Sequence, residues 1–186
     1  AEATVAEPFY VLLGDVIVPD NDILPRMKAV SDAHNGASVL AVFAVPYEQV
    51  SRFGVIAKEP VLSSENTEDV CNAESSRPTS DELVLSSENT EDVWRITSLV
   101  EKPSVDKAPS NLAIFGRYLL SPRVMQILAQ TKPGAGGEIQ LTDALAELLH
   151  SEEMYALVIS SSSGFDTGTV QSWLETNVSM AQRRAI

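Results

Sequence analysis

Apolar residues run without interruption from Phe9 to Leu13 and stop at Gly14 and Asp15. A short continuous apolar run predicts a strand covered on both faces, and the polar pair predicts its exposed tip. Between residues 22 and 34, apolar side chains recur at Ile23, Met27 and Val30. That spacing is helical, and Asn35-Gly36 supplies a stop. Residues 38–45 repeat the buried-strand pattern, and residues 47–52 predict a short turn or helical piece that leads into Phe53-Gly54-Val55-Ile56. Strand character returns at 96–100 and at 111–120. Ser121-Pro122 opens a helix with proline at its first position and Val124, Ile127 and Leu128 as its apolar stripe. Residues 139–149 predict an amphipathic helix through Leu141, Leu145, Leu148 and Leu149. Residues 154–160 then predict a strand, 165–168 a turn and 170–184 a closing helix. Strands alternate with helices throughout, so the expected fold is α/β with a mainly parallel sheet. At 186 residues and 44% hydrophobic content, one domain is the default.

One stretch breaks the pattern. Residues 59–93 hold ten acids against Arg77 alone, which contributes −9 of the chain's −13 net charge. Within it the decapeptide VLSSENTEDV occurs twice unchanged, at 61–70 and 84–93. Ser, Asn, Thr and acids with almost no aromatics predict a solvated loop or hairpin rather than a core element. Two copies are too few for a solenoid. The overall negative charge argues against nucleic acid as a partner. It also repels phosphate compounds, so phosphate chemistry here must rest on a local lysine or a metal. Cys71 is the one cysteine. It admits no disulfide within the chain and fits a reducing cytoplasm. Residues 1–8 lack the basic end and apolar run of a signal peptide, and no apolar stretch reaches membrane-spanning length. His34 and His150 are isolated, and they read as polar residues at helix ends rather than zinc ligands.

Candidate chemistry gathers where strands end, since ligands of open α/β sheets sit beyond the carboxyl ends of strands. Asp15 ends the first strand and Asp166 follows the last. Together such carboxylates hold a magnesium ion that takes waters and substrate phosphates for its remaining sites; singly they serve as turn formers or caps. Glu101-Lys102-Pro103 follows a strand that the proline prevents from continuing. A glutamate there can accept two sugar hydroxyls. The adjacent lysine, on the opposite face by strand alternation, can meet a phosphate as a point charge; a surface ion pair is the competing reading. The Lys132-Pro133-Gly134-Ala135-Gly136-Gly137-Glu138 loop precedes a helix, so its amides could face an anion, but it is not a Walker loop.

In chain order these pieces are Leu13-Gly14-Asp15, Arg52-Phe53-Gly54-Val55-Ile56, Val100-Glu101-Lys102-Pro103, Pro109-Ser110-Asn111-Leu112-Ala113, Gly136-Gly137-Glu138-Ile139-Gln140-Leu141-Thr142-Asp143 and Phe165-Asp166-Thr167-Gly168. The set resembles the bacterial UTP–glucose-1-phosphate uridylyltransferases over almost all of the chain outside the acidic stretch. The resemblance implies a three-layer α/β fold of the nucleotide-diphospho-sugar transferase type. It also implies transfer of a uridylyl group from UTP to glucose 1-phosphate, giving UDP-glucose and pyrophosphate. Asp15 and Asp166 match magnesium ligands, and Asp15 and Lys102 match catalytic groups. Gly14, Gly54, Glu101, Lys102, Asn111, Ile114 and Glu138 match substrate-binding positions: Glu101 for glucose hydroxyls, Lys102 for the sugar phosphate, Gly54 and Ile114 for backbone contacts, and Glu138 for the shape of the sugar pocket. The resemblance further implies a cytoplasmic homo-oligomer. The Gly-rich, arginine-containing nucleotide loop that opens the family's domain has no counterpart here, so the expected fold is truncated at its start. Thymidylyl transfer to glucose 1-phosphate, the reaction of another sugar nucleotidyltransferase, or a non-catalytic remnant that binds sugar phosphate stand as the alternatives.

Overall fold

The computed structural model describes residues 6–18, 22–61, 93–134, 137–160 and 164–184. The two decapeptide copies lie almost wholly outside these residues, as do Cys71 and most of the expected acidic loop. At its margins, Glu59 and Pro60 close one strand and Val93 opens another.

Eight strands and four helices are described. They are β1 (Phe9–Leu12), β2 (Val16–Ile17), α1 (Ile23–Ala33), β3 (Ser38–Ala44), β4 (Gly54–Pro60), β5 (Val93–Glu101), β6 (Leu112–Leu120), α2 (Arg123–Leu128), α3 (Leu141–Leu148), β7 (Met154–Val158), β8 (Phe165–Asp166) and α4 (Val170–Arg184). A 3₁₀ turn, Tyr47–Arg52, precedes β4. The main sheet runs β1-β6-β3-β7-β5-β4, and β2 with β8 forms a separate two-stranded ribbon. Both histidines lie at helix ends as expected, His34 capping α1 and His150 just past α3.

Alternation along the strands divides the core. Leu40 and Val42 of β3 face one side, with Leu112, Ile114, Leu120, Met154 and the α3 residues Ala144, Leu145 and Leu148. Val39 and Ala41 face the other, with Ile23, Met27 and Val30 of α1 and with Phe115 and Leu157. The result is helix, sheet, helix: an α/β fold in three layers.

The sheet is mixed rather than mainly parallel. Among the described strands only β3 and β7 pair in parallel; β1–β6, β6–β3, β7–β5 and β5–β4 are all antiparallel. All nine residues of β6 are buried, yet it runs opposite to both its neighbours. Burial on both faces makes a strand's sequence continuously apolar whatever its neighbours' direction, so apolar runs alone overstate parallel pairing.

Two irregularities shape the site. In β6 the pairing with β3 slips between Leu40↔Tyr118 and Val42↔Ile114, and Gly116 there has φ of 59°. This is a bulge in the left-handed region that favours glycine. A Cβ on Gly116 would approach Val16 Cγ2 to 2.9 Å. In β4, Val55 also pairs with Ala113 of β6, which curls the sheet and sets Gly54 beside Ile114.

Candidate active site

The ends of β1, β5 and β8, the start of β4 and the first turn of α3 surround a cavity of about 320 Å3. Asp15, Arg52, Gly54, Glu101, Lys102, Ile114, Tyr118, Thr142 and Asp166 all line it. A larger cavity of about 480 Å3 between α2 and α3 contains none of the expected site residues.

Register places Glu101 opposite Gly54 across β5 and β4. The Thr142 hydroxyl donates to Glu101 Oε2 at 2.6 Å, which fixes the carboxylate in the cavity wall. A Cβ at Gly54 would lie 3.0 Å from Thr142 Oγ1, 3.1 Å from Glu101 Oε2 and 3.1 Å from Ile114 Cδ1. The missing side chain is therefore the space in which that hydrogen bond sits. Lys102 departs from the expected strand alternation. With φ of 45° it leaves the β conformation, its amide still donates to Phe53 O at 3.0 Å, and its ammonium returns to within 3.5 Å of Glu101 Oε1. Cation and carboxylate thus share one cavity instead of opposite faces.

The two aspartates are joined by the small ribbon. Val16 pairs with Asp166, and Thr167 donates both its amide and its hydroxyl to Asp15 O, each at 2.8 Å. The turn from Leu13 to Val16 is also held from below. Arg117 is 9% exposed and sits next to the β6 bulge. Its guanidinium donates to Leu13 O at 3.3 Å, Gly116 O at 3.0 Å and Val16 O at 2.8 Å. Burial pulls its pKa below the ordinary arginine value, but a guanidinium remains charged. The Asp166 carboxylate accepts Gly168 N at 2.8 Å on Oδ1 and Arg52 Nη2 at 3.2 Å on Oδ2. Tyr118 stands between the two halves of the site. Its hydroxyl is pushed up to about 12, first by burial and then by the negative charges of Glu101 and Asp15.

A hard divalent cation suits this donor set. Asp15 and Asp166 present carboxylate oxygens on two turns joined by Thr167, and no group of three or more His, Cys, Asp or Glu converges among the described residues. Few protein ligands leave positions for water and phosphate oxygens.

Not every expected residue joins the cavity. Gly14 is exposed, and an added Cβ there would touch nothing. Asn111 serves the fold, its side chain donating to Val45 O at 3.2 Å. Glu138 is exposed, with its carbonyl accepting Gly134 N at 2.8 Å, while Gln140, Leu141 and Thr142 line the cavity in its place. Sequence reading missed Thr142, Arg52, Arg117 and Tyr118. Arg117 alone carried a visible signal, as a charge inside an otherwise apolar strand.

A family model for nucleotidyl transferases matches residues 1–183. A UTP–glucose-1-phosphate uridylyltransferase of Streptococcus pneumoniae is 34% identical over 179 residues, which span 94% of this chain and 50% of that enzyme. A crystal structure of UDP-glucose pyrophosphorylase complexed with UDP-glucose superposes with a TM-score of 0.74 at 30% identity, covering 96% of this chain and 57% of the other. A UTP-bound enzyme of the same type from Acinetobacter baumannii gives 0.63 at 30% identity, covering 91% and 49%. The chain therefore has the fold of these enzymes and spans about half the length of the curated relatives it matches.

Proposed function

The chain belongs to the nucleotidyl transferase family, and on that premise we propose that it carries the sugar-phosphate half of a site that transfers a uridylyl group from UTP to glucose 1-phosphate, releasing pyrophosphate. The observation behind this reading is the Gly54–Glu101–Thr142 corner beside Lys102, across one cavity from Asp15 and Asp166. Glu101 keeps lone pairs free for sugar hydroxyls while Thr142 fixes its orientation. Gly54, without a side chain, leaves room for the Thr142–Glu101 bond that forms this wall of the sugar site. Lys102 offers an ammonium to the sugar phosphate at the point where two anions must meet, which lowers their repulsion. Asp15 and Asp166 would hold magnesium, which when bound neutralises charge on the transferring phosphoryl group. An oxygen of the sugar phosphate attacks the α-phosphorus in line as pyrophosphate leaves, so no protein nucleophile is needed. Tyr118, kept neutral, adds no charge.

The uridylyltransferase named from Streptococcus pneumoniae and the UDP-glucose-bound neighbour support uridine as the base and UDP-glucose as the product. A cytoplasmic homo-oligomer belongs to the same reading. Self-association is supported by the exposed apolar side chains of Val170, Trp173, Leu174 and Val178 along α4. A monodisperse monomer in light scattering contradicts that part. No helix among the described residues is long and apolar enough to cross a membrane. The reaction is tested by pyrophosphate release from UTP in the full-length polypeptide. Release should require glucose 1-phosphate and collapse in Asp166→Asn; equal rates with TTP, or turnover unchanged in that variant, would overturn the assignment.

A further inference from the structure

Asp166 carries a partner on each carboxylate oxygen. The bond from Gly168 N lies within one tight turn and stays with the backbone. The other comes from Arg52, which is 114 residues away in sequence. The pair is partly solvated, with the side chains 52% and 32% exposed, so it is held weakly. A cation entering between Asp15 and Asp166 needs an Asp166 oxygen, and Oδ2 is the one whose partner can leave. Lys102 already faces Glu101, which leaves Arg52 as the cavity's second side-chain cation beside the aspartates.

We propose that Arg52 is the resident counter-cation of Asp166, that it exchanges with the divalent cation, and that its guanidinium then turns to the phosphates of the sugar nucleotide. This rests on the reading of Asp15 and Asp166 as cation ligands. The local structure confines the movement to the side chain. Arg52 ends the 3₁₀ turn, and Phe53 anchors the next residue by donating its amide to Val50 O at 3.1 Å and accepting Lys102 N at 3.0 Å. The guanidinium carbon lies 5.6 Å from the centre of the Phe53 ring, itself packed edge-on against Phe43 at 5.7 Å. The ring is a shelf on which a released guanidinium stays over the cavity. A planar fork suits phosphate oxygens at least as well as a carboxylate. Metal loading and phosphate capture are thereby linked through one side chain, which positions the substrate only after the cation has arrived.

The test follows the arginine Nε–H resonances of the labelled chain by NMR during Mg2+ titration, with the Arg52 signal identified by its loss in Arg52→Lys. The Asp15 and Asp166 carboxyl carbons are followed in parallel. The Arg52 resonance should move in step with those carbons and move again on adding UDP-glucose. In calorimetry, Arg52→Gln should bind Mg2+ alone roughly twofold to fivefold tighter, the worth of a half-exposed ion pair. It should bind UDP-glucose with Mg2+ more weakly, and Arg52→Lys should return both toward wild type. An Arg52 signal that stays still while the carboxyl carbons shift overturns the exchange alone. Carboxyl carbons that do not shift overturn the exchange and the cation reading together. Weaker UDP-glucose binding in Arg52→Gln without tighter Mg2+ binding also overturns the exchange, because Arg52 would then not be competing for Asp166.

Discussion

Adding one methyl group at Gly54 should separate the site from the fold. Gly54 does not have positive φ, so alanine meets no backbone strain there. Its Cβ would meet three atoms at 3.0 to 3.1 Å, a few tenths of an ångström inside ordinary contact. Two of them, Thr142 Oγ1 and Glu101 Oε2, are the partners of the 2.6 Å hydrogen bond that orients the carboxylate. The third, Ile114 Cδ1, is the end of a side chain and can give way. The methyl group therefore relieves itself by parting Thr142 from Glu101 and turning the carboxylate away from the sugar. A hydrogen bond to a charged group is worth about 1.5–3 kcal/mol, so Gly54→Ala should weaken UDP-glucose binding by roughly tenfold to a hundredfold. Stability should fall by no more than the worth of that one hydrogen bond, about 1.5–3 kcal/mol, because Thr142 is buried and Glu101 only partly exposed while nothing else has to move. Calorimetric titration with UDP-glucose gives the first number and chemical denaturation the second. Wild-type affinity in Gly54→Ala would refute the placement of the sugar against this corner. A large loss of stability would refute the claim that the strain is confined to it.

Further substitutions probe the supports. Thr142→Val keeps the shape of the α3 first turn but removes the donor to Glu101; affinity for glucose 1-phosphate should fall about tenfold, and unfolding free energy by no more than about 1.5–3 kcal/mol, the worth of the bond. Arg117→Met leaves the carbonyls of Leu13, Val16 and Gly116 without their guanidinium donor, costing about 1–3 kcal/mol in urea unfolding and weakening Mg2+ binding through the Asp15 turn. Arg117→Lys should rescue little, since one ammonium cannot span Leu13 and Val16 as a fork does. Tyr118 makes stability depend on alkaline pH. Its folded pKa of about 12 lies above the ordinary value of 10.0, so the folded state holds the proton longer. Its contribution is complete below pH 10 and is lost as pH rises toward 12, by about 2–3 kcal/mol in all. Tyr118→Phe should flatten that part of the decline in unfolding free energy measured from pH 9 upward.

The sequence carried most of the elements and only part of the site. The apolar runs at 38–45 and 111–120 are strands because both faces are covered, and that signal is local. Direction is not local. It depends on which neighbour each strand meets, and β6 meets both of its neighbours antiparallel. The two-residue strands β2 and β8 are too short for any periodicity, yet their pairing brings Asp15 and Asp166 together. Residue 166 was visible as a candidate, whereas its connection to Arg52 across 114 residues was not. Lys102 shows the same limit from the other side. Strand alternation sends it away from Glu101, and one left-handed residue brings it back. Thr142 hides in a run whose glutamate, Glu138, looks more chemical but sits outside the cavity.

The most direct test of the sugar-phosphate site is calorimetric titration of the folded chain with glucose 1-phosphate, with and without Mg2+ and in Glu101→Ala. Saturable binding that strengthens with Mg2+ and disappears in Glu101→Ala is the expected result. Absence of binding by a chain whose circular dichroism and cooperative unfolding show it to be folded, or binding that Glu101→Ala leaves intact, would contradict the assignment of this cavity.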